Sequence, residues 1–317
     1  MPRLAASIGE LEGEGRRAEA ATIWQSAAKV VNSHREPAEA FMTYQTILFE
    51  NRGPIGLLTF NRPDQLNAFN KALVDEVIHL LDRVEKDENI RVLVVAGAGR
   101  AFSAGFDLKE GYDRPWQTVA DVTPTLKKDF DFIMRFWHLR QPTIAAVHGY
   151  ALAGACELAM ACDITIAADG TRFGEPELRF GSGIVALLMP WLSGPKRAKE
   201  FLLTGNDRID AAEALACGLI NRVVPFGSEL DAALALAREI ALNDRIKVAM
   251  TKRAINRGYE MMGMLSALEM GLETDIQIEA LQTPEGQEFK AISKRDGLKA
   301  ALAWRDARFA KPPAPEG

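Results

Sequence analysis

From about residue 46 onward, strand-like and helix-like patterns alternate, and that alternation limits the chain to few architectures. Residues 46–49 and 55–60 read as strands, 68–84 as an amphipathic helix, and 92–96 as a short apolar run of the buried-strand type. Further strands are expected at 143–147, 164–167 and 222–224, with helices at 126–139 and 154–161 between them. Past Asp231 the pattern is helical throughout, up to the Pro-rich ending Lys311-Pro-Pro-Ala-Pro-Glu-Gly. This rhythm predicts an α/β domain. With 317 residues, 48% of them hydrophobic, the chain can bury a large core as one domain or two.

Residues 1–41 differ from the rest. They are Ala-rich, with Gly9, Gly13 and Gly15 near the start, a possible helix over 16–32, and Pro37 to end it. Glu10, Glu12, Glu14 and Glu19 are unlike the acid-poor composition of transit peptides, and no apolar signal core is present. The expectation is a dispensable extension, with the folded unit opening at Met42. A formal charge of −5 offers no broad basic surface for nucleic acid, and no apolar run approaches the ~20 residues of a membrane span. Cys156, Cys162 and Cys217 lack metal-type spacing, and their odd number argues against a disulfide framework. A reducing, cytoplasmic location is therefore expected.

Glu157 and Glu177 stand in strings otherwise made of apolar and small residues, Gly149-Tyr-Ala-Leu-Ala-Gly-Ala-Cys-Glu157 and Phe173-Gly-Glu-Pro-Glu177. A buried ionised carboxylate loses several kcal/mol of solvation, roughly, unless it is paired or its pKa moves. Two of them suggest a site that moves protons. A capping box would put Ser or Thr where Gly154 stands, although a simple helix-dipole contact for Glu157 stays open. For Glu177, a surface salt bridge to Arg172 or Arg179 is the other reading.

Five strings together carry a resemblance. Asn61-Arg-Pro-Asp-Gln-Leu-Asn-Ala-Phe-Asn70, Ala101-Phe-Ser-Ala-Gly-Phe-Asp-Leu-Lys-Glu110, the two glutamate strings, and Leu203-Thr-Gly-Asn-Asp-Arg-Ile209 with Ala214-Leu-Ala-Cys-Gly-Leu-Ile-Asn-Arg-Val-Val-Pro225 occur in the order of the enoyl-CoA hydratase/isomerase (crotonase) superfamily. The chain resembles that family over roughly residues 43–310. The resemblance implies a crotonase-like spiral of ββα units over 42–230, a C-terminal helical oligomerisation region over 231–310, and a tail at 311–317. It implies an acyl-CoA substrate, a homotrimer or dimer of trimers, no metal and no cofactor beyond the coenzyme A of the substrate.

Residue roles follow in the same way. Gly154 opens a helix, so its N–H lacks an internal partner; by resemblance this N–H and that of Phe106 form an oxyanion hole on the thioester carbonyl. Glu157 and Glu177 take the places of the residues that hold a water in hydratases, one drawing its proton and the other protonating the α-carbon. Gln65, Leu66, Ala68, Ala104, Gly105, Asp107 and Leu108 resemble the segments that grip coenzyme A, and Tyr112 and Trp116 fall in the stretch that forms the acyl pocket wall. His148 is read as structural.

The chain departs from the family pattern after Glu177. Where hydratases carry a Gly- and Pro-rich turn with a water-placing amide, this chain has the apolar Gly181-Ser-Gly-Ile-Val-Ala-Leu-Leu-Met-Pro-Trp-Leu-Ser-Gly194. Hydration of a 2-enoyl-CoA to a 3-hydroxyacyl-CoA remains the expected reaction, with double-bond isomerisation as the alternative. Glu175, before Pro176, is extended and faces the same way as Glu177; either repulsion between them raises one pKa or Glu175 pairs with an arginine, and the pair is expected. A non-catalytic acyl-CoA-binding protein and hydrolysis through Ser103 are the remaining readings. Ser103 lacks the glycine of a nucleophile elbow, since Ala101 stands there. A chain beginning at Met42 is expected to fold and to turn over substrate like the full chain; loss of assembly or activity, read by size-exclusion chromatography and assay, would show that the extension packs on the core.

Overall fold

The computed structural model describes residues 44–112, 116–281 and 283–310. The expected extension at 1–41 and tail at 311–317 lie outside them. The described residues from Gln45 onward form one compact unit.

The elements run β1 (Ile47–Arg52), β2 (Ile55–Phe60), α1 (Lys71–Lys86), β3 (Val92–Gly97), α2 (Leu108–Tyr112), α3 (Val119–His138), β4 (Thr143–Val147), β5 (Tyr150–Leu152), α4 (Gly154–Ala161), β6 (Ile164–Ala168), β7 (Arg172–Gly174), α5 (Met189–Thr204), β8 (Ile209–Asp210), α6 (Ala211–Ala216) and β9 (Arg222–Val224). Five helices follow: α7 (Glu229–Ala241), α8 (Arg245–Met261), α9 (Met264–Ala280), α10 (Pro284–Asp296) and α11 (Leu298–Phe309). The main sheet has the order β1-β2-β3-β4-β6-β9, and a small second sheet the order β5-β7-β8. In the main sheet β1 and β2 are antiparallel, and β2, β3, β4, β6 and β9 are parallel, with Leu57 opposite Val94 and Ile144 opposite Ile164.

Alternation decides what each face of the sheet meets. Ile55, Leu57, Val92, Val94, Ala96, Ile144, Ala146 and Ile166 share one face and pack against Ala233, Leu234, Ala237 and Ala241 of α7. Helix α1 turns the stripe Leu73, Val77, Leu80, Leu81 and Val84 inward, and its start is set by Asn70, whose side chain accepts the Leu73 N–H. It therefore begins three residues later than 68, because Leu66 and Asn67 are left-handed. Helix α3 begins earlier than 126: Thr118 and Asp121 form a capping box, and the helix accommodates Pro124. The strands β5, β7 and β8, two or three residues long, were too short to show a period in the sequence.

The C-terminal helices reach the glutamate strings. Phe180 packs on Phe289 of α10 with ring centroids 5.6 Å apart, and Gly181 abuts Gly286 so closely that a Cβ there would lie 2.9 Å from the Gly286 Cα. Helix α8 is tied to the opposite end of α4 by buried Lys252, whose ammonium meets Asp163 at 2.7 Å and donates to the Gln141 carbonyl at 3.1 Å. Asp163 also accepts the Thr143 N–H at 2.7 Å. No helix among the described residues is long and apolar enough to cross a membrane. Removing one partner of a buried pair leaves the other charge uncompensated, so Lys252→Met is expected to cost about 3 kcal/mol in urea unfolding, whereas exposed Lys247→Met should cost under about 0.5 kcal/mol.

Candidate active site

The site is built where two loops are forced together. After the turn at Pro63–Gln65, buried Asn67 donates through Nδ2 to the carbonyls of Ala98 (2.8 Å), Ala101 (2.9 Å) and Phe102 (3.2 Å), and its Oδ1 accepts the Arg62 N–H at 2.8 Å. One side chain thus satisfies four backbone groups of the two loops. Ser103 Oγ donates to the Asn67 carbonyl at 2.9 Å and accepts the Gly105 N–H at 3.1 Å, so this hydroxyl is spent on the backbone. His148 bonds the Gly99 carbonyl at 2.9 Å and faces Glu229, matching a structural role rather than a base for Ser103.

The residues expected to grip coenzyme A lie along this join. Ala104 donates its N–H to the Leu66 carbonyl at 3.0 Å and Ala68 to that of Gln65 at 3.1 Å. Asp107 pairs with Arg62 at 3.0 Å, and the same guanidinium donates to the Ala68 carbonyl. Gly105 has φ +83°, and a Cβ on it would sit 2.6 Å from the Leu152 carbonyl oxygen. Only glycine allows this approach.

Two amides are left pointing at open space. Phe69 uses both backbone groups on Gly105 and Asp107, its N–H to the Gly105 carbonyl (2.8 Å) and its carbonyl to the Asp107 N–H (3.1 Å), so the Phe106 N–H between them faces away. Gly154 is the first residue of α4, preceded by Ala153 at φ 55°, ψ −138°, a conformation costing about 1–3 kcal/mol for a residue with a Cβ. The Ala153 N–H donating to the Gly174 carbonyl at 2.8 Å holds it there. Among the described residues neither the Phe106 nor the Gly154 N–H meets an acceptor. Both residues line one cavity of about 110 Å³, together with Asp107, Leu108, Trp116 and Glu177. Tyr112 belongs to α2, and its side chain lies outside what is described.

The glutamates converge beside this cavity. Glu157, Glu175 and Glu177 are all buried, and each offers a carboxylate oxygen within 4.8 Å of the others. Glu157 accepts the N–H groups of Val185 at 3.1 Å and Ala186 at 2.9 Å. The apolar loop after Glu177 does present amides, through residues whose side chains are apolar, and both serve Glu157. Burial, then the charge of Glu177, raises the Glu157 pKa well above the ordinary carboxylate range, and the two amides oppose that rise. Glu177 is pushed up to about 8, chiefly by burial.

Glu175 pairs with no arginine, contrary to expectation. Arg172 faces Asp210 and Arg179 faces Asp207, and both Glu175 oxygens are buried without a donor. The extended Glu175-Pro176 geometry turns it inward with Glu177, out of reach of either guanidinium. Burial and the charges of Glu177 and Glu157 keep it protonated to higher pH than usual, and in that form it donates toward Glu177. The three oxygens could also receive a hard cation, but such ions need six or more oxygen ligands or bound waters, and this buried triad offers few.

Several residues of the site carried no motif. Asn67 was passed over inside its own string, though asparagine is a residue type that tolerates the left-handed conformation it adopts here. Asp275 of α9 is buried in the stripe Met264, Leu268, Leu272, Ile276, where a carboxylate breaks the apolar spacing. It lines the cavity with Asp129, Glu279 and Lys290. Burial, then the charges of Glu279 and Asp129, pushes its pKa up to about 8.

Comparison with known proteins bears on this arrangement. The family model described as enoyl-CoA hydratase/isomerase matches residues 50–290. A probable enoyl-CoA hydratase of Mycobacterium bovis is 39% identical over 243 residues, covering 73% of this chain and 87% of the relative. A probable enoyl-CoA hydratase of Rhizobium meliloti is 36% identical over 281 residues, covering 84% of this chain and 99% of its own length. Among solved structures, an enoyl-CoA hydratase/isomerase from Xanthobacter autotrophicus superposes with a TM-score of 0.83 at 48% identity, over 86% of this chain and 100% of that one. With its parallel sheet, its small second sheet and its C-terminal helices, the chain belongs to the enoyl-CoA hydratase/isomerase family, the crotonase superfamily.

Proposed function

We propose that the chain hydrates a 2-enoyl-CoA to a 3-hydroxyacyl-CoA. The observation that carries this reading is the meeting, at one cavity, of two acceptor-free amides and Glu177, with a Glu157 oxygen within 4.8 Å of Glu177. The Phe106 and Gly154 N–H groups would hold the thioester oxygen, whose negative charge grows as the enolate forms; a fixed donor of this kind contributes on the order of 3 kcal/mol. Glu157, whose carboxylate is met by two amide donors although burial and the charge of Glu177 raise its pKa, takes a proton from water. The water oxygen bonds to C3, and Glu177, which holds its proton up to about pH 8, delivers it to C2. The proton gained by Glu157 returns to Glu177 across their short separation, and one water has been added. Coenzyme A enters as part of the substrate, and no metal or further cofactor takes part. Exposed Leu242, Ile246, Met250 and Met261 on and beside α8 suit assembly of copies through the C-terminal helices, as a homotrimer or dimer of trimers.

One observation favours isomerisation as the second reading. Glu177 lines the cavity, whereas Glu157 lies behind the loop whose amides it accepts. A single carboxyl group lining the cavity could take a proton from C2 of a 3-enoyl thioester and return one at C4 through a dienolate.

Glu157→Gln and Glu177→Gln are each expected to lower hydration by roughly a hundredfold or more with little effect on folding. Assay of matched 2-enoyl and 3-enoyl thioesters in heavy water separates the readings. Rapid 3-hydroxyacyl formation, lost in both variants, supports hydration; double-bond migration that depends on Glu177 alone supports isomerisation.

The pH dependence has a defined sign. The folded-state pKa of Glu177 is raised from 4.5 to about 8, so between those values the folded chain holds a proton that the unfolded chain has released. Stability is then expected to fall as pH rises through this window and to level off above it. Glu177→Gln should flatten the slope of unfolding free energy against pH, and an unchanged slope would place the proton elsewhere. Hydration should also decline above about pH 8 as the acid is lost.

A further inference from the structure

One wall of the cavity does not suit a plain hydrocarbon chain. Asp275 is 2% exposed, and neither of its carboxyl oxygens makes a well-formed hydrogen bond; the adjacent Gly183 N–H is the nearest donor and is the weakest of the influences on its pKa. It lines the same space as Phe106, Gly154 and Glu177, the groups proposed to hold and protonate the thioester. Gly183 opposite leaves room for it: a Cβ on that glycine would lie 2.0 Å from Asp275 Oδ1. Asp129 and Glu279 add carboxyl groups to the wall, with Lys290 the one cation among the described lining residues. Glu279 is already engaged by the Ser182 hydroxyl.

Leaving a buried polar group unsatisfied costs about 1–3 kcal/mol, and a site that carries one is poised for a ligand that satisfies it. Accepting the hydratase reading above, we propose that Asp275 binds a hydroxyl group on the acyl chain, so that the substrate is a short hydroxylated 2-enoyl-CoA. A carboxyl group whose pKa stands near 8 is largely protonated at neutral pH, and it both accepts from and donates to a hydroxyl. An acyl chain ending in a carboxylate would meet Asp129, Asp275 and Glu279 and be repelled. The cavity of about 110 Å³ is small beside the ~300–1,000 Å³ of drug-sized pockets, which limits the chain to a few carbons.

The test compares 2-butenoyl-CoA with 4-hydroxy-2-butenoyl-CoA in the full-length protein. The wild type should favour the hydroxylated thioester in kcat/KM by about tenfold to a hundredfold, the range of one buried hydrogen bond to a polar ligand group. Asp275→Leu should bring that ratio to about one, and Asp275→Asn, which keeps a donor and an acceptor, should retain most of it. The ratio cancels any general loss of activity, and the Asn variant keeps the comparison open if the Leu variant does not fold. Calorimetric binding of butanoyl-CoA and 4-hydroxybutanoyl-CoA makes the same comparison without turnover, so failure of the hydratase reading is seen separately. Equal affinity and equal turnover for the two members of each pair would overturn the proposal. So would a preference for the 4-amino thioester over the hydroxylated one, or for a chain ending in a carboxylate.

Discussion

Burying several acids in one place is the constraint on which this structure turns. Two unit charges no more than 4.8 Å apart repel by roughly 3 kcal/mol at an effective dielectric of about 20, in addition to the cost of removing each from water. Glu157, Glu175 and Glu177 therefore cannot be ionised together, and some of their protons must stay. Burial raises the pKa of all three, and hydrogen-bond donors are shared unequally among them. Val185 and Ala186 reach Glu157, whereas Glu175 receives none and one Glu177 oxygen is bare. On the proposed mechanism, the division between an acid and a base follows the path of one loop. That loop is placed in turn by Gly181 against α10 and Gly183 against α9.

The amides across the cavity depend on backbone strain of a different origin. Ala153 is held at positive φ, and Leu66 and Asn67 follow one another in the left-handed region. Such conformations persist when neighbouring bonds over-determine them. Here those bonds are the Ala153 N–H to Gly174 and the Asn67 side chain, which joins the loop at 62–67 to that at 98–102. The result is a pair of fixed donors, which on the proposed mechanism need no reorganisation when charge develops beside them.

These requirements explain what was legible in the sequence. A backbone amide can be aimed only by glycines, small residues and turns at set spacing, so Ser103-Ala-Gly105 and Ala153-Gly-Ala155 stand out as strings. Glu157 was conspicuous because its neighbours are apolar. The main sheet was readable from period-two runs such as Val92–Gly97, whereas β5, β7 and β8 were lost because two or three residues show no period. The amides that the loop after Glu177 gives to Glu157 were not legible for a physical reason: its apolar side chains say nothing of its amides, and any non-proline residue carries one. Glu175 was misread for a related reason, since a nearby arginine in sequence need not be near in space.

The wall formed by α9 and α10 obeys looser rules, which is why it left no motif. Holding a thioester and moving a proton require particular backbone geometry, but enclosing an acyl chain requires only side chains of suitable size and polarity, supplied from any helix that reaches the cavity. Asp275 is more than a hundred residues from Glu157 in the chain, and Lys290 lies on yet another helix. Residues of this kind can change without disturbing the amides or the glutamates. The class of reaction is accordingly written in local strings, while the identity of the acyl group is written in tertiary packing, and a polar residue in the apolar stripe of α9 is the trace that packing leaves in the sequence.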